Sequence, residues 1–200
     1  MKRRFAWFVL LFLACGPAVS PVLAKEKARI ENLTIHVGEE SLAVSFCARN
    51  CFTPKIEEII QSGIPATLTL SVRLYQKRSF WKDKRLAAFK LIRTIRYDNI
   101  KKLYQVTFKE GEPTVVFEDF GELKRRVTQV ENLRVMPQEQ LKEGVIYYIS
   151  VKARLEPVKL PFRLGNLFFL ASSRKTQTDW LVQKFRVGVF VVPERGDKGE

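Results

Sequence analysis

The chain has 200 residues, a formal net charge of +14 and 46% hydrophobic residues. That is the length of one ordinary domain and enough to bury a proper core. Beyond the first 24 residues, no stretch reaches the roughly twenty apolar residues that a membrane-spanning helix needs.

The first element is a leader. Lys2, Arg3 and Arg4 precede an uncharged apolar run from Phe5 to Ala14. This is the n-region and h-region of a secretory signal, about ten apolar residues and too short for a stable span. Val22-Leu23-Ala24 offers suitable residues at the two positions read by a signal peptidase, directly before the charged Lys25-Glu26-Lys27. Residues 1–24 are therefore expected to be a signal peptide, cleaved after Ala24. The mature chain would work in the periplasm or peripherally on the outer side of the inner membrane. Two alternatives stay open. A lipidated Cys15 could follow Leu13-Ala14, although Phe12 stands where an aliphatic residue is usual; or an uncleaved anchor could run through a linker holding Pro17 and Pro21.

Cleavage removes three basic and no acidic residues, so the remaining 176 residues carry +11. Outside the cytoplasm the abundant anions are phospholipid headgroups and acidic polymers, and the basic surplus points to these rather than to nucleic acid. A basic surface without a specific partner is the plain alternative.

Ala28–Val37 and Ser41–Ala48 read as strands. Leu33, Ile35 and Val37 alternate with Thr34 and His36, and Leu42, Val44 and Phe46 alternate with Ala43 and Ser45. Gly38-Glu39-Glu40 is the hairpin turn between them. A short helix follows, capped by Thr53, with Pro54 at its first position and Ile56, Ile59 and Ile60 on one face; Gly63 stops it and Pro65 prevents resumption. Thr67–Tyr75 alternates most cleanly. A basic and aromatic patch of Lys77, Arg78, Phe80, Trp81, Lys82, Lys84 and Arg85 then tips a hairpin whose return strand is Leu86–Tyr97. Leu103–Phe108 and Thr114–Phe117 pair across Glu110-Gly111-Glu112-Pro113. Asp119 caps a second helix with Phe120, Leu123, Val127 and Val130 on its core face. Further strands are expected at Leu133–Met136, Val145–Leu155 and Trp180–Val192, with an apolar segment at Leu160–Leu170 and a polar tail at 193–200.

Strands joined by short turns, without a strand–helix repeat, give an α+β class that is mainly antiparallel. The expected architecture is a two-sheet sandwich with two short helices packed at its edge, a single β-rich domain over 25–192.

Ser62-Gly63-Ile64-Pro65 followed by a strand and Trp81, then Ile95-Arg96-Tyr97-Asp98 with Tyr104, resembles a bacterial family of exported proteins catalogued as domain of unknown function 4390. Tyr148, Arg154-Leu155, Leu160-Pro161 and Asp179-Trp180 are similar to its later landmarks. The resemblance covers most of residues 28–182. The Cys47/Cys51 pair and the long strand after Trp180 fall outside the pattern. The resemblance implies export and one compact domain, with no activity to carry over.

Chemistry is sparsely provided for. After cleavage the cysteines are Cys47 and Cys51, and His36 is the only histidine. In one extended strand the two cysteines would stand about 13 Å apart, so a disulfide needs a turn at Ala48-Arg49-Asn50. A disulfide, two free buried thiols, and metal or redox chemistry all remain open. No glycine-rich phosphate loop or metal-ligand spacing occurs, so no cofactor or metal is expected. Glu57/Glu58, Glu110/Glu112 and Glu118/Asp119 read as solvated faces and caps rather than acid–base pairs. Arg96-Tyr97-Asp98 reads as packing plus a turn. Leu160–Leu170 reads as burial over the sandwich edge rather than a membrane contact.

Two function classes follow. The first is a non-enzymatic envelope module that binds a membrane protein, an anionic lipid surface or an acidic polymer through the patch from Lys77 to Arg85. The second is a redox or hydrolase-like periplasmic enzyme using His36 with Cys47 and Cys51.

Overall fold

Alternation in the sequence becomes two antiparallel sheets in the computed structural model, which describes residues 26–109, 111–158 and 175–188. The leader, the Leu160–Leu170 segment and the tail from 193 lie outside the described residues. A three-stranded sheet holds β1 (Arg29–Val37), β2 (Ser41–Arg49) and β7 (Gln129–Pro137) in the order β1-β2-β7. The larger sheet holds β3 (Ala66–Gln76), β4 (Lys84–Asp98), β5 (Leu103–Thr107), β6 (Val115–Phe117), β8 (Ile146–Pro157), β9 (Thr176–Gln177) and β10 (Leu181–Arg186). Its order is β10-β8-β3-β4-β5-β6, with β9 also on β8. The fold is α+β with a sandwich-like layout, as expected.

The core lies between the sheets. Leu42, Val44 and Phe46 of β2 are buried in one cluster with Leu68, Leu70, Val72 and Leu74 of β3 and with Ile149, Val151 and Leu155 of β8. The intervening side chains of β3 face outward, as a period of two requires. The smaller sheet keeps its apolar residues inward only by inserting extra residues. Asn32 in β1 and Asn132 in β7 adopt left-handed backbone, at φ 53° and 49°. Register shifts occur at both places, between Glu31 and Thr34 and opposite Val44–Phe46. Asparagine tolerates that conformation better than other side-chain-bearing residues. The bulges let Ile30 and Leu33, and likewise Val130 and Leu133, share one face despite an odd spacing.

Helix α1 (Pro54–Gln61) buries Ile56, Ile59 and Ile60, and its first turn is capped by the Thr53 hydroxyl, which accepts from the Ile56 N–H at 3.3 Å. Gly63 ends it at φ +87°, where a side chain would be strained and a Cβ would meet the Asn99 amide at 2.8 Å. Helix α2 (Phe120–Thr128) is capped by Asp119, which accepts from the Glu122 N–H at 2.7 Å. Phe120, Leu123 and Val127 are buried as expected. Val130 is buried too, but from β7: Gln129 turns to extended backbone and ends the helix before it.

Other boundaries also differ from expectation, β7 starting four residues before the expected Leu133. Of the strand expected from Trp180 to Val192, Leu181–Arg186 is strand and ends where Arg186 pairs with Ile146, the first residue of β8, while residues 189–192 lie outside the described residues. The return strand of the hairpin starts at Lys84, so two basic residues assigned to the tip are strand residues.

One cation is built into this core. Arg93 of β4 pairs with the inward-facing Leu68 and is 9% exposed. Its Nη1 donates to the carbonyls of Arg126 (3.2 Å), Val127 and Gln129 (3.0 Å) at the end of α2. Burial, and secondarily the charge of Arg126, lowers its pKa to about 10, which leaves it charged at neutral pH. Arg93→Met should destabilise the protein by about 2–4 kcal/mol, since hydrogen bonds from charged donors contribute about 1.5–3 kcal/mol and the helix carbonyls lose theirs. Urea unfolding checks this. A variant as stable as the wild type would show that water or neighbouring groups replace the guanidinium without cost.

Candidate functional site

The β3–β4 hairpin carries the basic and aromatic patch on a loop held at its base. The Lys77 N–H donates to the Ile146 carbonyl at 2.9 Å, fastening the loop to the start of β8. Asp83, an acid in a basic run, accepts from the Arg78 N–H at 3.0 Å through Oδ1 and from the Tyr148 hydroxyl at 2.9 Å through Oδ2. Those two hydrogen bonds hold the Asp83 carboxyl below the ordinary carboxylate range. The Tyr148 phenol is pushed up to about 12, by desolvation first and then by Asp83. Tyr148 stacks on Tyr75 of β3 with centroids 4.9 Å apart. The loop is thus clamped across β3, β4 and β8.

Beyond the clamp the tip projects into solvent. Phe80 is 95% exposed and Trp81 80% exposed, so neither ring packs back over the sheet. Lys77, Arg78, Lys82, Lys84 and Arg85 surround them, the last two on β4. Rings and charges are therefore presented together.

The basic character continues onto the outer face of the larger sheet. Arg73, Lys90 and Lys152 occupy outward register positions on β3, β4 and β8. Trp180 lies over this face, its ring 4.3 Å from the Arg73 guanidinium carbon and 5.8 Å from the Lys152 ammonium. Such cation–π contacts orient both partners. Neither Asp83 nor Trp180 stood out in the sequence as part of this surface. The available signals were a lone acid at the end of a basic loop and the position of Arg73 on the polar side of an alternating strand.

The residues of the catalytic alternative are kept apart. His36 is exposed on the outer face of β1 and pairs with Ala43, four residues along β2 from Cys47, or about 13 Å in strand geometry. Cys47 takes an outward position on β2, and its sulfur lies 3.9 Å from the Thr128 hydroxyl. Cys51 follows the turn at Asn50 (φ 55°) and is buried in the core. The two sulfurs are not bridged in this structure, with Cys47 half-buried and Cys51 buried. Burial, and then the neighbouring Cys47, pushes the Cys51 thiol up to about 12, far from the thiolate that nucleophilic chemistry needs.

Arg96-Tyr97-Asp98 divides into packing and a turn. Tyr97 packs on Tyr104 with centroids 4.7 Å apart, and Asp98 accepts from the N–H groups of Ile100 and Lys101, each at 3.0 Å. Among the described residues, no group of three or more His, Cys, Asp or Glu side chains is arranged to hold a metal.

With the geometry in hand, comparison with known proteins gives one assignment. The model of a family described as Domain of unknown function (DUF4390) matches residues 25–184. The chain belongs to the DUF4390 family. No curated protein matches the chain, and no solved structure matches it. The match takes in the clamp, the tip, Trp180 and the start of β10, including residues after Trp180 that the motifs alone left outside.

Two outcomes are expected in this DUF4390 protein. His36→Ala, and separately Cys47→Ser with Cys51→Ser, should leave cellular function intact. A null phenotype with folded, normally abundant protein would restore the enzyme reading. Asp83→Asn should speed hydrogen exchange at the Arg78 amide while the inner amides of β3 and β4 keep their protection. The Asp83 pKa is lowered, so its contribution is present above the ordinary carboxylate pKa and disappears as pH falls below about 4. Tyr148 acts at the other limit. Its raised pKa means its contribution is present below the ordinary phenol value of about 10 and is lost as pH rises through about 12. Exchange at Arg78 that is unchanged in the variant would sink the clamp.

Proposed function

We propose that this protein is an exported, non-enzymatic docking module of the cell envelope that seats on an anionic lipid surface through its β3–β4 tip. The observation that carries the reading is the exposure of Phe80 and Trp81 at the end of a clamped loop with three basic residues, joined by Lys84 and Arg85 at the start of β4. Leaving two such rings in water forgoes roughly 1.5–3 kcal/mol each relative to burying them. At a membrane interface aromatic rings occupy the headgroup level, and each nearby Lys or Arg adds about 1 kcal/mol on anionic lipid.

Export is supported by the leader signature of residues 1–24 and by a family match that begins at residue 25. No helix among the described residues is long and apolar enough to cross a membrane. In this reading, a cleaved leader leaves membrane contact to the tip. The catalytic alternative needs His36 within reach of a cysteine thiolate, and the register of β1 on β2 and the burial of Cys51 both weigh against it.

Co-sedimentation with phosphatidylglycerol vesicles tests the proposal, with phosphatidylcholine vesicles as the uncharged control. Binding should favour the anionic vesicles and fade as salt shortens the Debye length from roughly 10 Å at 0.1 M. Charge reversal by Lys82→Glu, Lys84→Glu and Arg85→Glu should abolish it without moving the melting temperature. Binding that survives the reversal, or that ignores salt, would leave the tip as ordinary solvated surface.

A further inference from the structure

The larger sheet has a second open feature, independent of the tip. Among the described residues, β5 pairs only with Thr94–Asp98 of β4. Residues 84–93 therefore have β3 on one side and, among the described residues, no strand on the other, an edge about 33 Å long in strand geometry. The side chains beside this edge are left uncovered as well. Ala87, Phe89 and Leu91 lie opposite Leu74, Val72 and Leu70 and share their inward direction. The three β3 residues are fully buried, whereas their β4 partners are only half-buried. Among the described residues, the three-stranded sheet is narrower than the larger one and does not extend over this side of β4.

The opposite wall is β7, itself the edge of the smaller sheet. Between β7 and the far end of the β4 edge, at Leu91 and Arg93, lies a cleft of about 440 Å³ whose apolar lining includes Leu91, Phe108 and Leu133. Arg126 and Arg134 stand on its rim, with Glu131 the one acid there. Arg134 has only a long contact to Glu40, 3.9 Å between two well-exposed groups. Lys84, Arg85 and Lys90 extend the positive charge along β4.

We propose that this groove takes an extended acidic segment of a partner protein, added as a strand to the free edge of β4. Backbone hydrogen bonds along residues 84–93 supply the pairing, the cleft receives alternate apolar side chains, and the arginine rim meets carboxylates. Charge decides among the occupants. A second copy of this chain would bring two edges of the same sign together, which is unfavourable across paired strands. The chain's own segment 159–174 carries Lys159, Arg163 and Arg174 and no acid. An acidic foreign strand complements the groove where both of these repel it.

A synthetic peptide alternating Glu with Val, about ten residues long to match the free edge, is the probe, read by fluorescence anisotropy and hydrogen exchange in the absence of lipid. It should bind, and new protection should appear at the amides of residues 84–93 rather than on β6 or β10. N-methylation of alternate peptide amides should weaken binding by roughly tenfold or more, because the charge is unchanged while the strand bonds are blocked. Arg126→Glu with Arg134→Glu should weaken it comparably at an unchanged melting temperature, and Phe80→Ser with Trp81→Ser should not weaken it. Several results would overturn the proposal: no binding, equal binding of the N-methylated peptide, protection confined to another edge, a dimer crosslinked through β4, or a crosslink showing residues 159–174 already in the groove. Because the probe contains no lipid, failure here leaves the vesicle result of the tip untouched, and the reverse also holds.

Discussion

A buried guanidinium, with no carboxylate partner among the described residues, joins the two sheets. Arg93 projects inward from β4 and holds three carbonyls where α2 gives way to β7, so a single side chain links the larger sheet, the helix and the smaller sheet. The C-terminal end of a helix carries a partial negative charge and carbonyls without intrahelical partners, which is the environment a buried cation needs. Phe108 adds a face to the same group, 5.2 Å from its carbon. An apolar residue there would relieve the cost of burying charge but leave the helix end unsatisfied. Because Arg93 holds the Gln129 carbonyl as well as those at the end of α2, it bonds both sides of the junction where β7 starts.

The next constraint is the inequality of the sheets. β3 has partners along its whole length on both sides, β4 from Ala66 to Gln76 and β8 over the same residues, and every inward residue from Ala66 to Leu74 is fully buried. Moving outward from β3, cover fails. The first half of β4 is half-buried on the side that faces the core, and the exposed valines of β6, Val115 and Val116, mark another thinly covered margin. Among the described residues, sheet width thus distributes the surface: a sealed centre, a basic outer face where Trp180 sits between Arg73 and Lys152, and a half-buried inner side along the first half of β4.

The sequence carried the elements well and their junctions less well. Period-two alternation located β1, β2 and β3, whereas β7 was legible only over Leu133–Met136 of Gln129–Pro137. The caps at Thr53 and Asp119 were legible because capping is a local bond between a side chain and an N–H two or three residues on. What escaped were features set by partners distant in the chain. The bulges at Asn32 and Asn132 follow from the need to match β2 on both sides, and nothing within either strand announces them. Val130 fits a helical spacing after Val127, yet Gln129 is extended and the residue reaches the core from a strand instead. Arg93 was the most accessible of the omissions. Leu91, Arg93 and Ile95 form one alternating side of β4, which places the charge inward, but that pattern gains meaning only with carbonyls to receive it.

The candidate site shows the same division. Its composition was plain from Lys77 to Arg85, whereas its usefulness depends on the clamp that Asp83 makes with Arg78 and Tyr148, the latter 65 positions away along the chain. A tip with exposed rings on a loose loop would lose conformational freedom on docking, at about 1–2 kcal/mol for each residue newly ordered. Much of that cost is already met in folding when the base of the loop is tied to β8 and the Tyr75–Tyr148 stack stands beneath it. The acid in the basic run is therefore more than a reduction of charge. It lowers local repulsion among the lysines and arginines, and it fixes the base from which Phe80 and Trp81 project. A tip built from basic and aromatic residues alone would keep its attraction for an anionic surface but meet it less well ordered.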